Sequence, residues 1–519
     1  MEIGPSDHMN KWFSELKSND RIFAVFIFVL FIAASVFTLF YMGVDSFHHD
    51  ELYSIGFFSK NNSFSDMMRI FLTDEVTNPP LYYIFMYFWY RIVPSTETWL
   101  LIPNYFIFLT GLLALSGIVM KYTGKISCVF ILFVIAWINA YTFGFMIFNL
   151  RAYCLLFMFS SLVISLYDRS LQGQSYKNSV IFGLLLFCMC FTHYYGILVS
   201  AGYGLLDLYL VIKHRKDLKK SLLPYVVLLF LISPYLIIAF INRKKQLSQF
   251  WGMLPSPLRV IKTIAQFFGN EYLFIVFVLM AGICFLVFLK SGFPLERSSF
   301  WKSNGNLLYI ACVWVSFFTF MVSYIYSYWI NPGGGIYVEQ YFISVKPLFL
   351  LIFSFLCGYI TDMVSLRLNS GKTFFFTILL SLLILFLALF GGNKWYKRHL
   401  FKIPTTRNLA DYISADLSGH PDDRAAIYIY QAGESQWNVG KYPASGLKEF
   451  YLDPKDINIP VLLYNDDFTG YDRVYVWYEI FNMFDENVPS VDPVLETMEG
   501  YHLSEDPLNT GIWTFEKDQ

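Results

Sequence analysis

The chain has 519 residues, of which 56% are hydrophobic and only 15% charged, with a mean hydropathy of +0.48. Soluble domains run near roughly 45–50% apolar and 25% charged, so one compact soluble core cannot absorb this much apolar surface, whereas a bilayer can. The formal net charge of −1 conceals an asymmetry: from residue 401 onward 8 Lys and Arg stand against 21 Asp and Glu, and a basic region meets an acidic one near residue 400.

The first apolar run, 22–42, is preceded by Lys11, Lys17 and Arg21 and is followed by no small-residue cleavage site. It reads as a signal anchor with a cytoplasmic N-terminus. Further runs of spanning length lie at 98–120, 126–148, 150–167, 178–192, 194–213, 222–241, 269–289, 306–329, 340–360 and 372–391, which makes eleven. A twelfth run, 80–93 (PLYYIFMYFWYRIV), has 14 residues, a length more typical of re-entrant or interfacial segments.

Loop charge decides between the two topologies. If 80–93 does not span, loops 121–125, 168–177, 213–220, 290–302 and 361–372 are cytoplasmic, and each carries at least two basic residues. The positive-inside rule requires that pattern. If it spans, the KHRKDLKK loop lies outside. Eleven spans fit better and leave the C-terminal region extracytoplasmic.

The expected architecture is therefore a polytopic α-helical membrane module, 1–391, with a first outer loop at 43–97, and an acidic α/β domain, 392–519. In that domain 405–417 has helix spacing after a Thr cap signal, 425–430, 460–464 and 473–478 read as strands, and the tail reads as a closing hairpin. The seven cysteines all lie in apolar runs, as small hydrophobes do, with no disulfide framework and no zinc spacing.

His48-His49-Asp50-Glu51 directly follows the first span. Three readings of these residues stay open: a carboxylate acting as general base, a set of metal ligands, or a solvated helix end. Asn78-Pro79-Pro80-Leu81-Tyr82-Tyr83 opens the short apolar run, where a proline at a helix start costs little. Arg151 sits between two spans at the outer face, placed either to grip a lipid phosphate or to snorkel to the headgroups. His193-Tyr194-Tyr195-Gly196 occupies another outer turn. The outer 242–268 loop carries Arg243, Lys244, Lys245, Arg259 and Lys262 with Trp251 and no acid. That is a composition suited to an anionic headgroup.

The acidic pair after the first span, then Asn-Pro-Pro-Leu-Tyr-Tyr, then Arg151-x-Tyr153, then His-Tyr-Tyr-Gly, resembles in order the GT-C glycosyltransferases. The resemblance is greatest to the bacterial branch that includes protein O-mannosyltransferase-like and aminoarabinose-lipid A transferase-like enzymes. Glu339-Gln340-Tyr341-Phe342-Ile343 through Pro347 is similar to that branch's motif before a late span, as is the stretch from Phe250-Trp251 to Pro257. The similarity covers about residues 20–400; the C-terminal domain is similar in type only. Gln340 stands where the branch has Arg, which leaves Lys346 as the cation of that stretch.

The resemblance implies a GT-C-like fold in a bacterial inner membrane. It implies transfer of a sugar from a polyprenyl-phosphate donor to a lipid, glycan or protein hydroxyl by a single inverting displacement. Asp50 matches the family's catalytic acid, with Glu51 beside it and His49 positioning acceptor or sugar. Arg151, Tyr153, His193, Tyr194, Arg243, Lys244, Lys245, Arg259, Tyr341 and Lys346 become candidate substrate-binding residues. The expected partners are the lipid-linked donor, the acceptor and membrane lipids, not nucleic acid. No residue pattern demands a metal, and a divalent cation stays open. The competing class is a polytopic transporter or lipid flippase. Transporters gather ionisable groups near the midplane and often contain repeats, whereas here the charges cluster at one face and no repeat is visible.

Overall fold

The computed structural model describes residues 18–44, 47, 49–73, 78–139, 142–243, 254–291, 305–330, 336–400, 405–430, 441–462, 466–478, 494, 497–505 and 512–518, and for a few of them, including His49 and Arg243, the backbone alone. The chain divides into two compact units that do not follow chain order. Residues 1–40, 75–82 and 103–398 form the first, and 41–74, 83–102 and 399–519 the second.

All eleven apolar runs contain helix. Among the described residues, eight helices are long and apolar enough to cross a membrane: Asp20–Tyr41, Glu97–Thr123, Tyr153–Gln172, Tyr195–Ile212, Leu218–Ile238, Gly305–Ile330, Glu339–Ser365 and Ser370–Gly391. Pro257–Phe267 and Glu271–Val287 make a ninth if the pair, bent by 90°, counts as one. Ile126–Trp137 and Tyr176–Thr192 are apolar but shorter. Large apolar side chains stand exposed along these helices, among them Phe28, Phe40, Phe230, Phe240 and Trp329. Water-soluble surfaces do not carry apolar area on this scale, and the chain is an integral membrane protein. The burial gradient fits: the apolar window of Glu339–Ser365 is 89% buried against 11% for Asp20–Tyr41. The former is a central helix and the latter a lipid-facing one.

Two stretches depart from the expected pattern. Part of the 242–268 loop is the helix Pro257–Phe267, started by a Ser256 cap that accepts from the Arg259 N–H and by Pro257 in the first turn. It ends at Gly269, whose φ of +118° few other residues would adopt. The 126–148 run is also interrupted: its α-helix stops at Trp137 and a π-helical turn follows at Phe143–Ile147.

At the end of the first unit away from the motif-bearing turns, buried and half-buried ion pairs join neighbouring helices. Lys121 pairs with Asp168, Lys125 with Asp362, and Lys216 with Asp207. Asp207 also accepts from Tyr167 and Tyr225, at 3.1 and 2.8 Å. All seven cysteines are free thiols, buried or half-buried.

The second unit joins the segments 41–74 and 83–102, which include most of the 43–97 stretch, to the C-terminal region. Those segments hold helices His49–Phe58 and Phe64–Thr73 and, from residue 83 onward, helix Leu81–Ile92. The C-terminal region has helix Thr405–Gly419 and strands β1 (Ala425–Tyr430), β2 (Val461–Leu462), β3 (Arg473–Tyr478), β4 (Tyr501–Glu505) and β5 (Ile512–Lys517). The strand order is β2-β1-β3-β5-β4, with β1 parallel to β2 and β3, and β5 antiparallel to β3 and β4. Ala426, Tyr428, Val474, Val476, Trp513 and Phe515 build the core on the sheet. Arg473, itself buried, ties helix to sheet through Asp416, Asp423 and Glu516 at 3.0–3.2 Å.

Candidate functional site

In the first unit, side chains from three separate motifs meet. Arg151 follows the π-helical turn and precedes helix Tyr153–Gln172, so a short irregular segment between two helices presents it. Asn104 holds that segment. Its Nδ2 donates to the Asn149 carbonyl at 2.8 Å, its Oδ1 accepts from Tyr82 at 3.3 Å, and its carbonyl accepts from the Cys154 thiol at 3.1 Å. Asn104 is fully buried, and replacing it by an apolar residue would remove its side-chain bonds to the Asn149 carbonyl and the Tyr82 hydroxyl.

His193 caps the end of helix Tyr176–Thr192 and is buried. Its Nδ1 accepts from the Tyr195 N–H at 3.2 Å, so the proton of the neutral ring lies on Nε2. Burial, and then the nearby Arg151 charge, push His193 down to about 3. The ring is therefore neutral at physiological pH, a polar donor rather than a cation.

Around it stand Tyr341 at 4.4 Å, Tyr195 at 5.8 Å and Tyr153 at 6.1 Å between ring centroids. Tyr195 donates to the Ile336 carbonyl at 2.6 Å. Tyr194 points to a different neighbour: its hydroxyl lies 3.2 Å from that of Tyr235, which reaches the Asn78 carbonyl at 3.4 Å. The Arg-x-Tyr, His-Tyr-Tyr-Gly and Gln-Tyr-Phe motifs thus share one aromatic cluster, and Tyr235 links the Asn-Pro-Pro motif to its edge.

The remaining cations of the first unit are held differently. Arg259 Nε donates at 2.8 Å to Oε1 of Glu339, two residues before Tyr341, so its charge is compensated. The same helix docks through Thr263, which accepts from Tyr337 at 2.8 Å. Lys346, at the head of the central helix, is fully buried and donates to Thr142 Oγ1 at 2.6 Å. Lys244 and Lys245 lie outside the described residues, as does the side chain of Arg243.

The acidic pair belongs to the second unit. Asp50 and Glu51 occupy the first turn of helix His49–Phe58. A helix N-terminus favours ionised carboxylates through its macrodipole. Glu51 is buried and Asp50 half-buried, so Asp50 is the more accessible of the two. The helix is closed at its other end by Asn62, whose Nδ2 donates to the Gly56 and Phe57 carbonyls at 3.0 and 3.2 Å. Arg91 helps, donating to the Phe58, Ser59 and Asn62 carbonyls at 2.6–3.3 Å. His48 and the His49 side chain lie outside the described residues. Among the described residues no three His, Cys, Asp or Glu side chains are grouped to hold a metal ion.

Asn104 and Tyr235 are contributors that sequence reasoning did not single out, because a lone Asn or Tyr in an apolar helix carries no local signal. Arg259 and Glu339 were both noted in the sequence, but not their pairing.

The chain shares its fold with two crystal structures of ArnT from Cupriavidus metallidurans. One is bound to undecaprenyl phosphate: TM-score 0.53, 11% identity, 94% of this chain and 97% of that one. The other is in the apo state: TM-score 0.56, 12% identity, 95% and 98%. No protein-family model matches the chain, and no curated protein matches it in sequence.

Proposed function

We propose that the chain is a GT-C glycosyltransferase that uses a polyprenyl-phosphate-linked sugar at the outer face of the membrane. Its similarity of fold to ArnT, end to end in both chains, carries this reading, together with an acidic pair at the start of the first helix after span one. One of the similar structures has undecaprenyl phosphate bound, and a lipid of that class suits the charge of Arg151 and the apolar helices around it.

In this mechanism Asp50 accepts the proton from an acceptor hydroxyl on a lipid, glycan or protein. The acceptor oxygen bonds to the anomeric carbon from the face opposite the phosphate, and the anomeric carbon–phosphate oxygen bond breaks with inversion. The electron pair leaves with the polyprenyl phosphate, and Arg151 stabilises its growing charge. Arg151 is preferred because it lies near His193 beside the aromatic cluster and because its planar fork can hold two phosphate oxygens, which a Lys ammonium cannot. Neutral His193 and the surrounding tyrosines offer hydrogen bonds and ring faces without adding charge.

The test is donor consumption. Purified protein in nanodiscs is incubated with metabolically labelled polyprenyl-phosphate sugars extracted from cells. One labelled donor is expected to disappear, with release of polyprenyl phosphate and label recovered in an acceptor. An extract left intact, donor by donor, rejects the transferase reading.

A further inference from the structure

Within the second unit the acidic helix is gripped from both ends by the C-terminal region, and the mechanism above uses none of these contacts. Just before the helix, the Phe47 N–H donates to the Tyr451 hydroxyl at 2.8 Å, and that hydroxyl donates to Glu97 Oε1 at 2.8 Å. Arg407 reaches the same carboxylate oxygen from Nη2 at 2.6 Å and from Nε at 3.2 Å, and Nη2 also donates to the Gly43 carbonyl at 3.1 Å. Thr406 Oγ1 donates to the Phe47 carbonyl at 2.8 Å. Midway along, Gly446 lies against the Leu52 backbone so closely that a Cβ would overlap the Leu52 carbonyl oxygen. Just past the helix, Glu449 accepts from the Lys60 N–H at 2.7 Å and from Ser59 Oγ.

Phe47, Glu97, Thr406 and Tyr451 are all buried, so a lost hydrogen bond there strands a polar group away from water. Burial and then the Glu97 charge hold the Tyr451 phenol well above its usual range, so it stays a neutral donor. The two grips bracket Asp50, one at residue 47 and the other at 59–60. Two fixed points set both the position of a helix along its axis and its tilt, which one point leaves free.

We infer that Tyr451 and Glu449 are positioning residues for Asp50, and that the C-terminal region serves the reaction by fixing the pose of the acidic helix. This rests on the reading of Asp50 as general base. A base must lie within hydrogen-bonding reach of the proton it takes, and a displacement of about 1 Å can cost roughly 100-fold in rate.

The test uses full-length protein in nanodiscs and two independent readouts: amide hydrogen exchange and steady-state kinetics. Tyr451→Phe should accelerate exchange of the Phe47 amide about tenfold, and Glu449→Ala, which removes the acceptor oxygens, that of the Lys60 amide. Each should lower kcat about 10- to 100-fold with the donor KM unchanged. Arg424→Ala, which removes an exposed ion pair to Asp472 elsewhere in the same region, should alter neither amide nor turnover. Should Tyr451→Phe fail to fold, Glu449→Ala tests the same inference from the opposite end. Unchanged exchange, faster exchange with wild-type kcat, or equal losses in Arg424→Ala would each overturn it. A wild type that transfers no sugar instead rejects the transferase reading itself, an outcome the variants cannot mimic.

Discussion

His193 and Tyr341, 148 residues apart in sequence, meet with ring centroids 4.4 Å apart and planes inclined at 58°. The contact joins a turn between two helices to the lead-in of the central helix, and it packs the imidazole away from water. The consequence is a pH signature. Unfolded, His193 titrates near 6.5; folded, burial and then Arg151 hold it near 3. Above pH 6.5 neither state binds the proton. Between 6.5 and 3 the unfolded chain alone binds it, so stability is lost as pH falls, at about 1.4 kcal/mol per pH unit. His193→Gln keeps a neutral polar side chain without that slope. The melting temperature of the wild type should therefore drop relative to His193→Gln between pH 6.5 and 4.5, with a constant difference above pH 7.5. Parallel curves throughout would mean that the imidazole exchanges protons with solvent.

Asp50→Asn preserves shape and removes the basic oxygen. A general base contributes roughly 100- to 10,000-fold, so turnover should fall by that factor while the melting temperature stays within a few degrees. Near-normal turnover would remove Asp50 from the mechanism and make Glu51→Gln the next variant to measure.

Arg151 separates transition-state stabilisation from simple attraction of the donor. Its planar fork can hold two phosphate oxygens, which the Lys ammonium cannot. Arg151→Lys should lower kcat and kcat/KM together, on the order of 10- to 100-fold. Neutralising Lys244 and Lys245 should chiefly raise the donor KM. If Arg151→Lys changes KM alone, Arg151 is an anchor to the headgroups.

Topology is open to a direct assay. The loop charges predict eleven spans from a cytoplasmic N-terminus and hence a C-terminus outside; on that expectation alkaline phosphatase fused there should be active and a fluorescent cytoplasmic reporter dark. The reverse pattern would move the acidic helix to the inner face and end the proposed chemistry.

The class of protein and much of its outline are legible along the chain. Apolar length and loop charge are local properties, so the runs that became helices could be read directly. The alternating pattern of AAIYIY and RVYVWY gave β1 and β3 with the observed bounds. The motif residues could be picked out singly, because an ionisable or aromatic residue at a helix end stands out against an apolar background. Which of them meet is settled by packing between distant segments. Periodicity does not say that Tyr153, His193 and Tyr341 share one cluster, or that Asn104 holds the turn bearing Arg151. Nor could it reveal that most of the stretch after the first apolar helix and the C-terminal region form one unit, because the Tyr451–Phe47 and Arg407–Glu97 bonds close over 404 and 310 residues. Such contacts depend on buried groups finding the one partner that satisfies them, a condition set by the packing of the whole unit rather than by any stretch of chain.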